Sequence, residues 1–298
     1  MSYFNSANDY WRRTFGCKLY RLSVRGGSTC PNRDGKCGTG GCIFCAEGSG
    51  SFAENSGDIN EQLDAAKARV SAKCKSGKYI AYFQSFTATY GNTDELCTRV
   101  SAAAARGDIA VICIATRPDC LPDKVISDLL RCCASKPLYI ELGLQTASDR
   151  SARLINRGYT GDVYTDACRR LHRAGINITA HMIIGLPGET REDMLDTVRL
   201  IGSTADGIKF QLLHVLRGTR LYDMYKSGGY TPLEMEQYAD ILCELIQHLP
   251  RGTVIHRLTG DGDKRLLAAP EWSADKKRVL NYILSEFKRR DIIQGKYT

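Results

Sequence analysis

The stretch IAVICIATRPDCLPDKVISDLLRCCASKPLYIELGL, residues 109–144, decides the architecture. It opens on Ile109–Ala115, an uncharged, β-branched run of strand length. Pro122–Ala134 follows, with Val125, Ile126, Leu129 and Leu130 at helical spacing, and Leu138–Leu144 is again a short apolar run. Strand, helix and strand at such close quarters mean parallel strands joined by a crossover helix. The same alternation continues outward in both directions. Upstream lie the strand Leu19–Val24, the helix Asn60–Lys75, the strand Tyr79–Phe83 and the helix Thr93–Arg106. Downstream come the helix Tyr164–Ala174, the strand Asn177–Ile184 and the helix Thr190–Gly202, which starts like a capping box at Thr190 and Asp193. The strand Gly207–Leu213, the helix Leu233–Leu249, the strand Val254–Arg257 and the basic helix Ala274–Arg290 complete the series.

An eight-unit barrel would be crowded into 298 residues, because the glycine- and cysteine-rich loop from Gly26 to Gly57 adds no strand or helix. The expected fold is therefore α/β, a partial, open parallel barrel of about six βα units with a C-terminal strand and helix. No composition break divides the chain. One domain is expected over 1–298, with a core at about 17–215 and a C-terminal extension at about 216–298. Active sites of such folds lie at the C-terminal ends of the strands.

Composition narrows the class. Apolar residues at 43% and charged residues at 25% are globular values, and they exclude a disordered chain, a collagen and a long coiled coil. The longest apolar runs, Ile109–Thr116 and Ile176–Leu186, fall short of the ~20 residues of a membrane helix. The opening MSYFNSANDYWRRTFG has no apolar core of a secretory signal, so the expected location is the cytoplasm, with no membrane partner. Lysine and arginine exceed aspartate and glutamate by 41 to 33, giving +8, a surface suited to an anionic partner such as RNA. Lys276–Arg278 and Lys288–Arg290 are the densest basic tracts and read equally well as solvated helix faces.

Thirteen cysteines are many for this length. Cys113, Cys133, Cys168 and Cys243 sit in apolar periods and read as small buried hydrophobes. The cluster Cys30-Pro-Asn-Arg-Asp-Gly-Lys-Cys37-Gly-Thr-Gly-Gly-Cys42-Ile-Phe-Cys45 does not. Two residues between Cys42 and Cys45 let both sulfurs reach one metal centre, and the surrounding glycines let the backbone wrap it closely. Spacing leaves three centres open: a closed four-cysteine zinc site, a ferredoxin-like cluster on Cys37-x4-Cys42-x2-Cys45 with a fourth cysteine elsewhere, or a 4Fe–4S cluster on three cysteines with one iron open.

The loop resembles the cluster-binding loop of radical S-adenosylmethionine (radical SAM) enzymes. More narrowly, it resembles the YhcC/YtqA-like bacterial family, related to the radical SAM domain of the Elongator catalytic subunit, whose motif is widened between the first cysteine and the CxxC pair. Tyr82–Thr87, Thr116–Pro122, Glu141–Thr146, Ile155–Gly158, Gly185–Thr190, Leu213–Thr219, His256–Gly262 and Ala269–Trp272 also resemble segments of that family. The resemblance implies Cys30, Cys42 and Cys45 as ligands of a 4Fe–4S cluster, with Cys37 a bystander, and S-adenosylmethionine as the second cofactor.

It also implies contacts at the strand ends. Gln84 and Ser85 end the second strand, where relatives contact the methionine amino group. A carboxylate is common at that place, and a glutamine there also simply caps a strand. Glu141 and Gln145 share one face of the fourth strand. The resemblance points to ribose or sulfonium contact, while burial of Glu141 requires a ligand or an internal ion pair, with Arg117 or His181 as partner. Gly185, Pro187 and Gly188 form the turn opening the helix after the fifth strand, where adenine is held, or an ordinary βα turn. His214, Arg217, His256, Arg257, Asp261 and Asp263 lie at later strand ends or loops and are expected to face the substrate, with His214, His256, Arg257 and Asp261 as catalytic candidates.

The function implied is reductive cleavage of S-adenosylmethionine, with the 5′-deoxyadenosyl radical abstracting hydrogen from a substrate. An external one-electron donor such as flavodoxin or ferredoxin is required. Kinship to the Elongator subunit points to tRNA and the side chain of a wobble uridine. A small metabolite or a protein side chain is the alternative substrate, and a non-catalytic zinc or iron–sulfur protein the alternative class.

Overall fold

A computed structural model of the chain describes residues 3–27, 29–46, 53–260 and 262–298. Among these the elements run α1 (Ala7–Phe15), β1 (Tyr20–Arg25), α2 (Ile59–Val70), β2 (Tyr79–Gln84), α3 (Thr93–Ala105), β3 (Ile109–Thr116), α4 (Asp123–Cys132) and β4 (Leu138–Gln145). They continue with α5 (Asp149–Leu154), α6 (Gly161–Arg173), β5 (Asn177–Ile184), α7 (Arg191–Thr204), β6 (Gly207–Leu212), β7 (Val215–Leu216) and α8 (Arg220–Lys226). The last are α9 (Met235–Gln247), β8 (Val254–Arg257), β9 (Leu267–Ala269) and α10 (Lys276–Arg289).

Among the described residues, the sheet has seven strands in the order β1-β2-β3-β4-β5-β6-β8, every neighbour pair parallel. The fold is the open α/β half-barrel that the strand–helix alternation predicts. Side chains alternate between its two faces. Leu22, Val24, Phe83, Ile112, Ile140, Ile178, Ile208 and Phe210 point to the convex face, in one cluster with Leu63, Leu96, Leu129, Leu171, Val198 and Leu242 of the helices. The concave face holds Tyr82, Cys113 and Tyr139, packed with Trp11 of α1, which plugs the N-terminal ends of the strands.

Polar contacts across the concave face show how strongly the sheet curls. Arg21 on β1 reaches Glu141 on β4 at 2.7 Å and His256 on β8 at 3.1 Å, although these strands are far apart in sheet order. The open edge at β8 is covered by the segment around Asn5: Ser6 pairs with Ile255 and the Ile255 amide donates to Asn5 O at 2.8 Å. Gln294 accepts from the Asn5 amide at 2.8 Å and donates to Pro250 O and Thr253 O at 2.7 and 2.8 Å. Tyr3 and Phe4 stack edge-on against Phe287.

Three helices and the β7–β9 ribbon are absent from the sequence-based expectation. Helix α1 is set by its caps, the Ser6 side chain accepting from the Asp9 amide and Gly16 closing the end at φ 71°. Its only buried residue is Trp11, so it shows no apolar stripe. Helix α7 opens with the capping box at Thr190 and Asp193. No helix among the described residues is long and apolar enough to cross a membrane.

Candidate active site

A cavity of about 830 Å³ opens at the C-terminal ends of the strands. Cys30, Cys42 and Cys45 line it together with Gln84, Ser85, Glu141, Gln145 and Arg257. Cys37 is exposed and is not part of the lining.

The cysteine loop is held by hydrogen bonds to distant segments. Asn32 donates to Asn156 O, Asn156 Nδ2 to Gly41 O at 2.8 Å, the Ile43 amide to Ile155 O at 3.0 Å and Arg220 to Gly41 O at 2.6 Å. Arg33 closes the far end on Cys45 O and Ala46 O at 2.6 and 3.0 Å. Upstream, the amides of Gly26 and Gly27 donate to Gln84 O and to Ser85 O. A Cβ on Gly27 would stand 2.5 Å from Thr87 O, so only glycine lets the end of β2 lie against the approach to Cys30. Ser85 (φ 78°), Phe86 (φ 48°) and Gln145 (φ 63°) are non-glycine residues in the left-handed region, and all three line the cavity. Such backbone costs energy and clusters where a ligand is gripped.

The Asn156–Tyr159 segment joins this loop to the strand ends. Arg157 is fully buried and donates to Leu144 O and Thr146 O at 2.6 Å each. Tyr159 lies between Arg117 and Arg157, 4.8 and 4.5 Å from its ring centre, and its hydroxyl reaches Gln145 Oε1 at 3.3 Å. Arg117 pairs with Asp119 at 2.7 Å, donates to Arg157 O at 3.0 Å and stands 3.8 Å from Cys30 Sγ.

The donor set fits an iron–sulfur cluster. All three thiols are free and half-buried on one cavity wall. Burial pushes the Cys42 thiol up to about 12, with Cys45 adding to the effect and Arg117 opposing it. A cation bound by the thiolates would release that proton. Asn32 Oδ1 is buried without a hydrogen-bond partner, while its amide nitrogen lies 3.9 Å from Cys42 Sγ.

Glu141 lies deeper than the strand ends, 1% exposed. Its carboxylate accepts from Arg21 at 2.7 Å, Tyr82 at 2.7 Å, His181 at 2.8 Å and Lys209. His181 does meet Glu141, at 2.8 Å, as a neutral imidazole in a hydrogen bond rather than an ion pair, whereas Arg117 turns to Asp119 instead. Glu141 therefore reaches the cavity as part of its floor, engaged by protein donors. The cations hold its carboxyl well below the usual range against the opposing effect of burial.

The remaining expected site residues divide between this cavity and other places. Gly185, Pro187 and Gly188 are not part of the lining. At Gly185 (φ 94°) a Cβ would stand 2.9 Å from Leu233 Cδ1, and Tyr230 donates to Gly185 O at 2.8 Å, so this glycine admits protein side chains from the C-terminal part. His256 faces the opposite end of the barrel. It lines a second cavity of about 660 Å³, stacks 5.9 Å from Trp11, and burial followed by Arg21 keeps it neutral. His214 packs against Gly260 and Gly262 behind the lining. Arg217 is exposed over Tyr222. Asp263 lines the cavity and pairs with Arg265 at 2.7 Å. Asp261 lies outside the described residues. Sequence reasoning passed over Asn32, Arg33, Arg21 and Lys209. The signal for Lys209 was a lysine inside the strand Gly207–Leu213, flanked by apolar residues.

Comparison with known proteins matches residues 30–201 to the Radical SAM superfamily and residues 205–289 to the Radical_SAM C-terminal domain. The chain is 40% identical to YtqA of Bacillus subtilis over 297 residues, covering 99% of this chain and 92% of that protein. It is 29% identical over 154 residues to the tRNA uridine(34) acetyltransferase of Methanocaldococcus jannaschii, half of this chain and 28% of that protein. Among solved structures it is similar to archaeal Methanocaldococcus infernus Elp3, with a TM-score of 0.71 at 16% identity, over 93% of this chain and 64% of that one.

Proposed function

The chain belongs to the radical SAM superfamily, whose members bind a 4Fe–4S cluster and S-adenosylmethionine, and from that premise we propose that Cys30, Cys42 and Cys45 hold its cluster and that a tRNA wobble-uridine side chain is its substrate. The observation carrying the first part is the convergence of these three thiols, and not Cys37, on one cavity at the strand ends. When bound, the two cofactors supply one-electron cleavage of S-adenosylmethionine and hydrogen-atom abstraction from an unreactive C–H bond, drawing on a donor such as flavodoxin or ferredoxin.

The protein's own residues position the reactants and exclude water. Gln84, Ser85 and Gln145 present polar groups around the cavity mouth, on backbone that strain and hydrogen bonding fix in place. Arg257 lines the side reached by β8 and meets the substrate. The partial similarity to a tRNA uridine(34) acetyltransferase supports the RNA substrate, as does the +8 charge. The matched part spans 28% of that relative, and the chemistry proposed for this chain is alteration of an existing uridine substituent or addition of a small one.

The test is mass spectrometry of nucleosides from tRNA of a strain lacking the gene against wild type. A wobble uridine shifted in mass and restored by the intact gene supports the reading. An unchanged nucleoside profile, with cofactor cleavage by the purified enzyme intact, transfers the substrate to a small metabolite or a protein side chain.

A further inference from the structure

The floor of the cavity carries an amine that the proposed function leaves unused. Lys209 points inward from β6 and is 2% exposed, yet it belongs to the cavity lining. Its Nζ donates to Glu141 Oε2, stands 3.3 Å from Tyr82 Oη and lies 4.7 Å over the Tyr82 ring. Glu141 does not serve this amine alone. Arg21 and the Cys113 thiol approach its Oε1 at 2.7 and 3.4 Å, and Tyr82 and His181 share its Oε2. One carboxylate charge is thus divided between a permanent guanidinium and an ammonium.

Every element facing Lys209 contributes a group, and their protonation is fixed around neutrality. Burial and Arg21 push Lys209 down to about 7 against the pull of Glu141, with Arg257 of β8 adding to the fall. Burial, then Lys209, pushes His181 down to about 4, and His256 is held well below its usual range. Tyr82 and Cys113 are raised by burial and by Glu141, and Glu141 stays ionised. Of these groups, Lys209 is the one brought close to neutral pH, and its side chain lines the cavity.

We propose that Lys209 is a catalytic residue, the proton-transfer group of the cavity floor, acting on a substrate with an ionisable N–H or O–H beside the reacting carbon, and that Glu141 positions it. The inference rests on the cavity being the reaction site. In the step, the amine lone pair of Lys209 forms an N–H bond as the substrate's N–H or O–H bond breaks, its electron pair staying on the substrate atom. The resulting ammonium is stabilised by Glu141. The proton passes to solvent as product leaves, and no electron is gained or lost.

The experiment compares wild type, Lys209→Arg and Lys209→Met, each with cluster iron and sulfide measured per chain. Bulk tRNA from the deletion strain is the substrate probe, between about pH 5.5 and 9. Wild-type product formation rises with pH through an inflexion near 7, and both variants lose it by about 100-fold or more with the inflexion gone. Lys209→Arg guards against a folding failure of Lys209→Met. Full activity and an unshifted inflexion in Lys209→Arg would leave Lys209 a structural cation only and overturn the proposal. Competitive acetylation of the holoenzyme, mapped by mass spectrometry, reads the amine without any substrate. A titration midpoint near 7 supports the proposal even if tRNA proves inert, in which case only the substrate reading falls. A midpoint above about 9 overturns it whatever the substrate.

Discussion

The floor of the barrel and its mouth treat their polar groups in opposite ways. At the floor, one buried carboxylate is met by Arg21, Tyr82, His181 and Lys209, so each charge has a protein partner. At the mouth, three half-buried thiols face a cavity with one long contact each, Arg117 at 3.8 Å from Cys30, Asn32 at 3.9 Å from Cys42 and Ala46 O at 3.6 Å from Cys45. Buried polar groups are costly unless paired. A protein that pairs them in one place and leaves them underpaired in another marks the second place for a ligand. The floor is built for persistence and the mouth for occupancy.

The comparison breaks most visibly at the thiols. Cys30→Ala, Cys42→Ala and Cys45→Ala should each abolish the iron–sulfur absorbance and iron content after anaerobic purification, while Cys37→Ala keeps both. Loss of the cluster in Cys37→Ala with retention in Cys30→Ala would exchange the first ligand. At the floor the expected loss is in stability. Glu141→Ala strands Arg21 and Lys209 in a buried site and should cost about 3–5 kcal/mol in urea unfolding. Adding Lys209→Met should recover part of that, because the pair shares one contact. Purely additive losses would show that the two side chains do not depend on each other.

Glu189 tests the same contrast through pH. The residue is half-buried with both carboxylate oxygens out of reach of solvent near Thr146 and Ser151, and burial raises its carboxyl from 4.5 to about 7. Between those values the folded state holds a proton that the unfolded chain has released, so stability falls as pH rises through that window. Glu189→Gln should flatten this fall and gain up to about 3 kcal/mol at pH 8 relative to wild type, with little difference near pH 4. Identical stability curves from about pH 4 to 8 would show that the carboxyl titrates normally. The smallest effect is expected at the loop. Asn32→Ala removes the bond to Asn156 and should cost about 1–2 kcal/mol while lowering the iron retained per chain. Unchanged iron retention would mean the loop is held by its remaining bonds.

The sequence carried the parallel strands and their crossover helices, though not α1, α5, α8 or the β7–β9 ribbon. Strands Asn177–Ile184 and Val254–Arg257 have the bounds that their apolar patterns predict. This succeeded because parallel strands buried on both faces write themselves as short apolar runs between helices. The cysteine loop stood out because glycines and a CxxC pair have no place in such a pattern. The floor was legible only in part. Glu141 could be read as needing a partner, and His181 was among those considered. Arg21 and Lys209 could not be assigned, since local periodicity gives the face of a strand but not which distant strands meet when the sheet curls. Gly185 shows a related limit of local pattern. A glycine turn after a strand signals close approach by something, and here Leu233 comes close, separated from it in sequence by α7, β6, β7 and α8.

The clasp between residues 3–6 and Gln294 bears on how copies of this molecule meet one another. A half-barrel does not close on itself, so its last strand offers unpaired backbone groups on which a second sheet can template. Asn5 and Ser6 occupy that side of β8, and Gln294 keeps them there by bonding to Asn5 on one side and to Pro250 and Thr253 on the other. The chain thus guards its own growing edge with a segment borrowed from outside the barrel. Gln294 is one of several anchors of that guard, beside Asn5 Nδ2 on Gly252 O, Arg13 on Asn5 Oδ1 and the aromatic contacts of Tyr3 and Phe4 with Phe287.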